Sequence, residues 1–299
     1  MSVFEGIFTP IVTPFDSRGN VNYDDLEFNI NKWNTTPLAG LVVLGTNGEF
    51  PYLTKDERLD IVKFCKEKMS TDKKLIVGSG FESTQETIDF STEVGDIGVD
   101  AVLVLPPHYY KKLMNEDALF KYYSELGDNI DVPIMLYNMP MNTGINMSSK
   151  LVSKLSMHPN IVGIKDTAGN IVQLSEIVRD SHKDFTVFAG NAGYILPALT
   201  IGARGGTVAL GNCLPEDCCK IVELFNNQEY DKAKKLQLDL LKINYYVTGL
   251  YGIPALKKAL NYLGYRGGHT RRPLQPLSSE IEKEVIKVIE EYRRRSVEC

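Results

Sequence analysis

Three short stretches place reactive side chains where a ligand could meet them. Lys165 closes the apolar run Asn160–Lys165 (NIVGIK). A lysine at the end of a buried strand is partly desolvated, which favours the neutral amine, and a neutral amine attacks carbonyl carbon to give an imine. Gly163, two residues earlier, points to the same face and leaves room beside the lysine stem. Tyr137 closes the run Val132–Tyr137 (VPIMLY), one strand, helix, strand step before Lys165. A phenol beside such an amine can carry protons to and from the carbinolamine. In Gly45-Thr46-Asn47-Gly48 the flanking glycines let a ligand approach the backbone, and hydroxyl, amide and N–H donors together suit a small carboxylate. Taken singly, these are a lysine reaching for solvent, a core tyrosine and a Gly-Asn turn. Taken together, they describe imine chemistry on a carbonyl compound that carries a small carboxylate.

Such groups must be held on a common rim. Eight runs rich in Val, Ile and Leu occupy residues 6–10, 39–44, 74–79, 100–105, 132–137, 160–165, 185–189 and 205–210. Continuous apolar runs without polar alternation suit strands buried on both faces. Between them lie amphipathic stretches with helix-start signals: Thr54-Lys55-Asp56-Glu57 is a capping box ahead of Leu59, Val62, Cys65 and Met69, and Ser83 opens a helix carrying Ile88 and Phe90. The expected fold is α/β, a (β/α)8 TIM barrel, with its active site at the C-terminal strand ends where all three stretches fall. After the eighth run only helices are expected, at about 217–226, 230–247, 254–263 and 279–294. The barrel is thus assigned to residues 1–214 and a helical extension packed on it to 215–299, with 264–276 an ordered loop. A doubly wound sheet is the competing arrangement. No GxGxxG follows any run, which counts against its dinucleotide-binding form.

Composition narrows the function classes. The 299 residues are 43% hydrophobic and 24% charged, which suits a globular chain, and the net charge of -5 leaves no basic footprint for nucleic acid. No run approaches the roughly 20 apolar residues of a membrane helix, and the first residues lack a signal-peptide pattern, so a soluble, cytoplasmic protein without membrane partners is expected. Cys65, Cys213, Cys218, Cys219 and Cys299 show no CxxC spacing, and His108, His158, His182 and His269 are scattered singly, so idle thiols and no metal are expected. Arg266, Arg271 and Arg272 read as a solvated or interfacial basic loop, and Arg293 to Arg295 complement the end of the last helix.

The motifs GTNGE, LPPHYY, YNMP, GIKDTAG and GIPALKKAL, in this order, resemble those of the dihydrodipicolinate synthase and N-acetylneuraminate lyase family of Schiff-base pyruvate aldolases. The resemblance spans nearly the whole chain. Within that family, GTNGEFPYLTKDERL, HPNIVGIKD and YGIPALKK look most similar to 4-hydroxy-2-oxoglutarate aldolases. The resemblance implies that Lys165 forms the imine, that Tyr137 shuttles protons, and that Thr46 links Tyr137 to a tyrosine from a neighbouring subunit, placed at Tyr109 with Tyr110 as the alternative. It further implies that Asn47 and the N–H groups of the Thr46 loop hold the pyruvyl carboxylate, that Gly190 and Thr207 line the pocket, and that Thr167 contacts the distal substrate. The implied assembly is a homotetramer built as a dimer of dimers. No cofactor is implied.

One position departs from the synthases. Where they carry an arginine after YNxP, this chain has Asn142, and a neutral amide cannot make the charged, bidentate contact of a guanidinium. The favoured expectation is therefore cleavage of 4-hydroxy-2-oxoglutarate to pyruvate and glyoxylate. The alternatives are condensation of pyruvate with aspartate semialdehyde, cleavage of a 2-keto-3-deoxy sugar acid, and a non-enzymatic keto-acid sensor on the same barrel.

Overall fold

The computed structural model describes residues 4–297, with side chains described to Arg295; Cys299 lies outside the described residues. The chain alternates strand and helix: β1 (Gly6–Pro10), α1 (Tyr23–Asn34), β2 (Gly40–Val43), α2 (Lys55–Lys68), β3 (Lys74–Gly78), α3 (Thr84–Asp96), β4 (Ala101–Val104), α4 (Glu116–Asn129) and β5 (Ile134–Asn138). A short α5 (Pro140–Thr143) and α6 (Ser149–Leu155) lead to β6 (Ile161–Asp166), followed by α7 (Ile171–Asp180), β7 (Thr186–Ala189), α8 (Ile195–Thr200) and β8 (Gly205–Thr207). All neighbouring strands pair in parallel, and β8 returns to β1, so the sheet closes into the expected TIM barrel. Each apolar run supplies one strand, most with shifted ends: β5 and β6 run one residue further, to Asn138 and Asp166, and β8 stops three residues short, at Thr207.

Alternation along the strands divides the core. Phe8, Val42, Ile76, Leu103, Met135, Tyr137 and Phe188 cluster inside the barrel. Ile7, Leu41, Leu75, Val102, Leu136, Ile164 and Val187 point outward into the larger cluster beneath the helices. Fully buried aromatics such as Phe8 and Phe188, 5.3 Å apart between ring centres, contribute roughly 1.5–3 kcal/mol each. Glycine makes room in the barrel: a Cβ on Gly40 would lie 2.6 Å from the Phe8 ring, and one on Gly163 would lie 2.6 Å from the Thr186 carbonyl oxygen and 3.4 Å from the Met135 methyl group.

Local sequence sets the helix starts. Thr54 and Glu57 cap each other at the start of α2 as expected, and Asn22, Ser83, Asn115, Ser148 and Asn170 each accept a backbone N–H at the starts of α1, α3, α4, α6 and α7. Beyond β8, α9 (Pro215–Asn226) packs on β1 and α8. Next come α10 (Tyr230–Asn244), a π-helical turn at Tyr245–Leu250, α11 (Gly252–Tyr262) and α12 (Ser279–Val297), whose last turn carries Arg294 and Arg295. Among the described residues no helix is long and apolar enough to cross a membrane.

Candidate active site

The register of β5 against β6 sets Tyr137 directly opposite Lys165. Both side chains point into the barrel near its C-terminal rim and are almost fully buried, at 4% and 3% exposed. Lys165 Nζ lies 4.2 Å from the centre of the Tyr137 ring. From the turn after β2, Thr46 Oγ1 comes within 3.2 Å of the Tyr137 hydroxyl. Amine, phenol and threonine hydroxyl, separate in sequence, thus meet at one point.

The residue after each of the central pair locks the two strand ends together. Asn138 Nδ2 donates to Asp166 Oδ2 at 2.7 Å and to Asn146 Oδ1 at 2.9 Å, while Asn138 Oδ1 accepts the Met147 N–H. Asp166 also accepts from the Ala168 N–H and from Gln173. Burial raises the Asp166 carboxyl above its ordinary value, and these donors, Asn138 foremost, oppose the shift. Thr167 donates its N–H and its hydroxyl to the Asn138 carbonyl, at 2.9 and 2.6 Å, so this hydroxyl fastens β6 to β5. Tyr194 donates to the Asp166 carbonyl at 2.6 Å, and burial raises its phenol. Asn138, Asp166 and Tyr194 had no role in the sequence reading. For the first two the available signal was adjacency to Tyr137 and Lys165.

Thr46–Gly48 forms a single tight turn. Gly48 and Glu49 spend their N–H groups inside it, on Gly45 O and Thr46 O, whereas those of Thr46 and Asn47 meet no acceptor among the described residues. Free N–H groups at the start of a turn suit an anion. The Asn47 side-chain amide donates to Pro10 O at 3.2 Å, bracing the turn against β1. Thr207 is 1% exposed, and its hydroxyl has no hydrogen-bond partner among the described residues. Gly190 follows β7, where a Cβ would come within 2.5 Å of the Asp166 carbonyl oxygen and 2.3 Å of the Thr167 methyl group, so only glycine fits. A small cleft lined by Leu44, Phe50, Leu103 and Leu105 among others adjoins Thr46 and Tyr137.

Two residues stand apart. Tyr109 is 77% exposed, packed edge-on against an equally outlying Tyr110, and within this chain it does not reach Thr46. Asn142 is exposed on α5. Beside it, the Lys111 side chain lies over Gly144, its Nζ 3.3 Å from where a Cβ on that glycine would be.

Comparison with known proteins fits this geometry. A sequence profile of the Dihydrodipicolinate synthetase family matches residues 3–292. The chain belongs to that family. Its relatives include the 4-hydroxy-tetrahydrodipicolinate synthase of Methanosphaerula palustris, 33% identical over 294 residues that cover 97% of this chain and all of that protein. The enzyme of the same name from Brachyspira hyodysenteriae is 31% identical, covering 98% of this chain and 99% of the relative. Among solved structures, a dihydrodipicolinate synthase from Bacillus anthracis superposes with a TM-score of 0.91 at 29% identity, over 97% of this chain and 99% of that one. YagE, a prophage protein of the family from E. coli K12 solved with pyruvate, gives 0.92 at 27% identity, over 98% and 99%. This dihydrodipicolinate synthetase family member is therefore an enzyme of the class I aldolase type, which works through a lysine Schiff base. The curated relatives named above carry the synthase name, not that of a 4-hydroxy-2-oxoglutarate aldolase.

One residue of the basic loop requires a correction, while Arg266 and Arg272 are exposed as expected. Arg271 is not solvated: its guanidinium grips both oxygens of Glu57 at 2.6 and 2.7 Å and donates to Gly19 O and Tyr52 O, with only 16% of the side chain exposed. Arg266 pairs with Asp25 at 3.2 Å. The cysteines Cys65, Cys213, Cys218 and Cys219 are free, and burial pushes the thiols of Cys65, Cys213 and Cys219 up to about 12.

Proposed function

We propose that this enzyme makes or breaks a carbon–carbon bond at C3 of pyruvate through an imine on Lys165. The observation that carries the reading is the meeting of buried Lys165 and Tyr137 with half-buried Thr46. Lys165 Nζ adds to the C2 carbonyl, and Tyr137, relayed by Thr46, moves the protons that let water leave. The protonated imine is an electron sink, so a C3 proton can be lost to give an enamine. The C3 carbon then attacks an aldehyde, and hydrolysis returns the amine. Run backwards, a 4-hydroxy-2-oxo acid loses its 4-hydroxyl proton, its C3–C4 bond breaks, an aldehyde departs and pyruvate is released. The Thr46 and Asn47 N–H groups would hold the pyruvyl carboxylate, with Thr207 and Gly190 across the pocket. This chemistry needs neither metal nor organic cofactor.

For the second substrate, the names of the relatives favour condensation of pyruvate with aspartate semialdehyde. A specific observation keeps a second reading: Asn142 is neutral and exposed where the resemblance places a synthase arginine, which favours cleavage of 4-hydroxy-2-oxoglutarate to pyruvate and glyoxylate. Both aldehydes carry a carboxylate, and Lys111 beside Gly144 is a cation within the same loops. Initial rates with aspartate semialdehyde plus pyruvate, with 4-hydroxy-2-oxoglutarate and with a 2-keto-3-deoxy sugar acid decide between them. Turnover of the second alone would overturn the condensation reading.

The assembly proposed is a homotetramer in which Tyr109 of a neighbouring copy reaches Thr46. Its exposure here is consistent with that role. Light scattering, together with the activity of Tyr109→Phe and Tyr110→Phe, tests it; a monomer with full turnover would remove Tyr109 from the site.

A further inference from the structure

Another buried lysine lies behind the turn that carries Thr46. Lys257, on α11, is 2% exposed and its Nζ lies 2.6 Å from Oε1 of Glu49, whose side chain is completely buried. The contact is an ion pair by distance, but among the described residues Glu49 Oε1 receives no well-aligned hydrogen bond. The ammonium also donates to Thr13 O at 2.7 Å and His269 O at 2.5 Å, and it sits 4.6 Å from the Phe15 ring centre. Glu49 Oε2 accepts the Arg271 N–H at 2.8 Å. Burial pushes Lys257 down to about 8, with Glu49 pulling the other way.

The backbone around Glu49 is unusual. Glu49 has φ 55° and Leu44 has φ 58°, so two non-glycine residues in the left-handed region bracket Gly45–Gly48. Each such residue costs on the order of 1–3 kcal/mol and persists only where its surroundings impose it. At Glu49 those surroundings are Lys257 and the Arg271 N–H. The same lysine holds Thr13 by its carbonyl, and the Thr13 hydroxyl donates to Gly48 O at 2.8 Å. The turn is thus fixed from both sides through one ammonium that comes from outside the barrel strands.

We propose that Lys257 is a positioning residue: by holding Glu49 in its left-handed conformation, it sets the Thr46–Gly48 turn so that Thr46 meets Tyr137 and the turn's N–H groups meet the substrate carboxylate. The helical extension is then a working part of the site. This rests on the lysine-imine reading above.

The test compares Lys257→Met, Glu49→Gln and the double variant, each measured for thermal unfolding, pyruvate half-saturation of imine trapping by borohydride, and kcat. A single variant leaves a buried charge or an unmatched ammonium and should lose stability; the double variant removes both charges and should regain much of it. The expected result for the folded double variant is a full complement of trappable Lys165 at saturating pyruvate, a half-saturation raised about tenfold, and kcat/KM lowered by roughly 10²-fold, as a misplaced turn requires. Wild-type half-saturation and kcat in the folded double variant would overturn the proposal and leave the pair a stability element. A double variant that cannot fold would overturn it equally. Failure of the wild-type enzyme to trap pyruvate would instead remove the imine reading itself.

Discussion

Tyr137 and Lys165 occupy matched register positions on adjacent strands, and Lys165 Nζ stands 4.2 Å over the Tyr137 ring. Strand pairing alone therefore brings the proposed nucleophile to its proton carrier, without help from a flexible loop. Replacing Tyr137 by Phe keeps the ring and removes only the hydroxyl. Steady-state kcat should fall roughly 10²- to 10⁴-fold while pyruvate still becomes trapped, more slowly, on Lys165. Unchanged kcat would mean that another group moves the protons.

Thr46 is tied to Tyr137 by one hydroxyl contact of 3.2 Å. Thr46→Val preserves the shape and deletes that contact. A fall in kcat of about 10- to 100-fold is expected, equivalent to about 1.4–2.7 kcal/mol. Thr46→Ser restores the hydroxyl and should recover most of the rate; if Ser is as slow as Val, the hydroxyl is not what matters.

Asn138 holds Asp166, and its loss should be felt as a pH-dependent instability. Burial raises the Asp166 carboxyl above its ordinary 3.8, and the Asn138 bond opposes the rise. A carboxyl raised in the folded state favours folding below its unfolded value, and that contribution is lost as pH climbs through the folded value. Asn138→Ala lifts Asp166 further, so it should cost about 2 kcal/mol, with the deficit widening from about pH 4 towards neutrality. Urea unfolding across that range measures it. A deficit that narrows with rising pH would contradict the assignment.

Arg271 and Glu57 make the opposite case. The Arg271 guanidinium holds the Glu57 carboxyl below its ordinary 4.5. A lowered carboxyl stabilises the fold above its unfolded value, and that contribution fades as pH falls through the folded value. Arg271→Met should cost about 1–2 kcal/mol at neutral pH, with the difference shrinking in acid. Part of it should persist, because the bonds to Gly19 O and Tyr52 O do not titrate. A difference independent of pH would show that Glu57 contributes nothing through its charge.

The barrel was legible because two-sided burial makes each strand a continuous apolar run, as in Val132–Tyr137, and because a polar residue ending such a run must lie on the rim. Lys165, Tyr137 and Thr46 were found by that logic, with the family resemblance supplying their roles. Lys257 could not be found in that way. It sits in an amphipathic helix where a lysine normally reads as solvated, and its partner Glu49 is more than two hundred residues away. Arg271 was misread for the same reason: a basic residue in a Gly- and Pro-rich loop gives no local sign of the carboxylate that buries it. Asn138 and Asp166 were visible only as neighbours of the central pair, since their bond depends on the β5–β6 register.

The central claim is the covalent imine, and borohydride reduction in the presence of pyruvate, followed by intact mass and peptide mapping, tests it directly. The expected product is one reduced pyruvyl adduct per chain, confined to Lys165 and absent from Lys165→Arg. An adduct on a different lysine, or none with folded protein and excess pyruvate, would contradict the assignment of Lys165 as the Schiff-base residue.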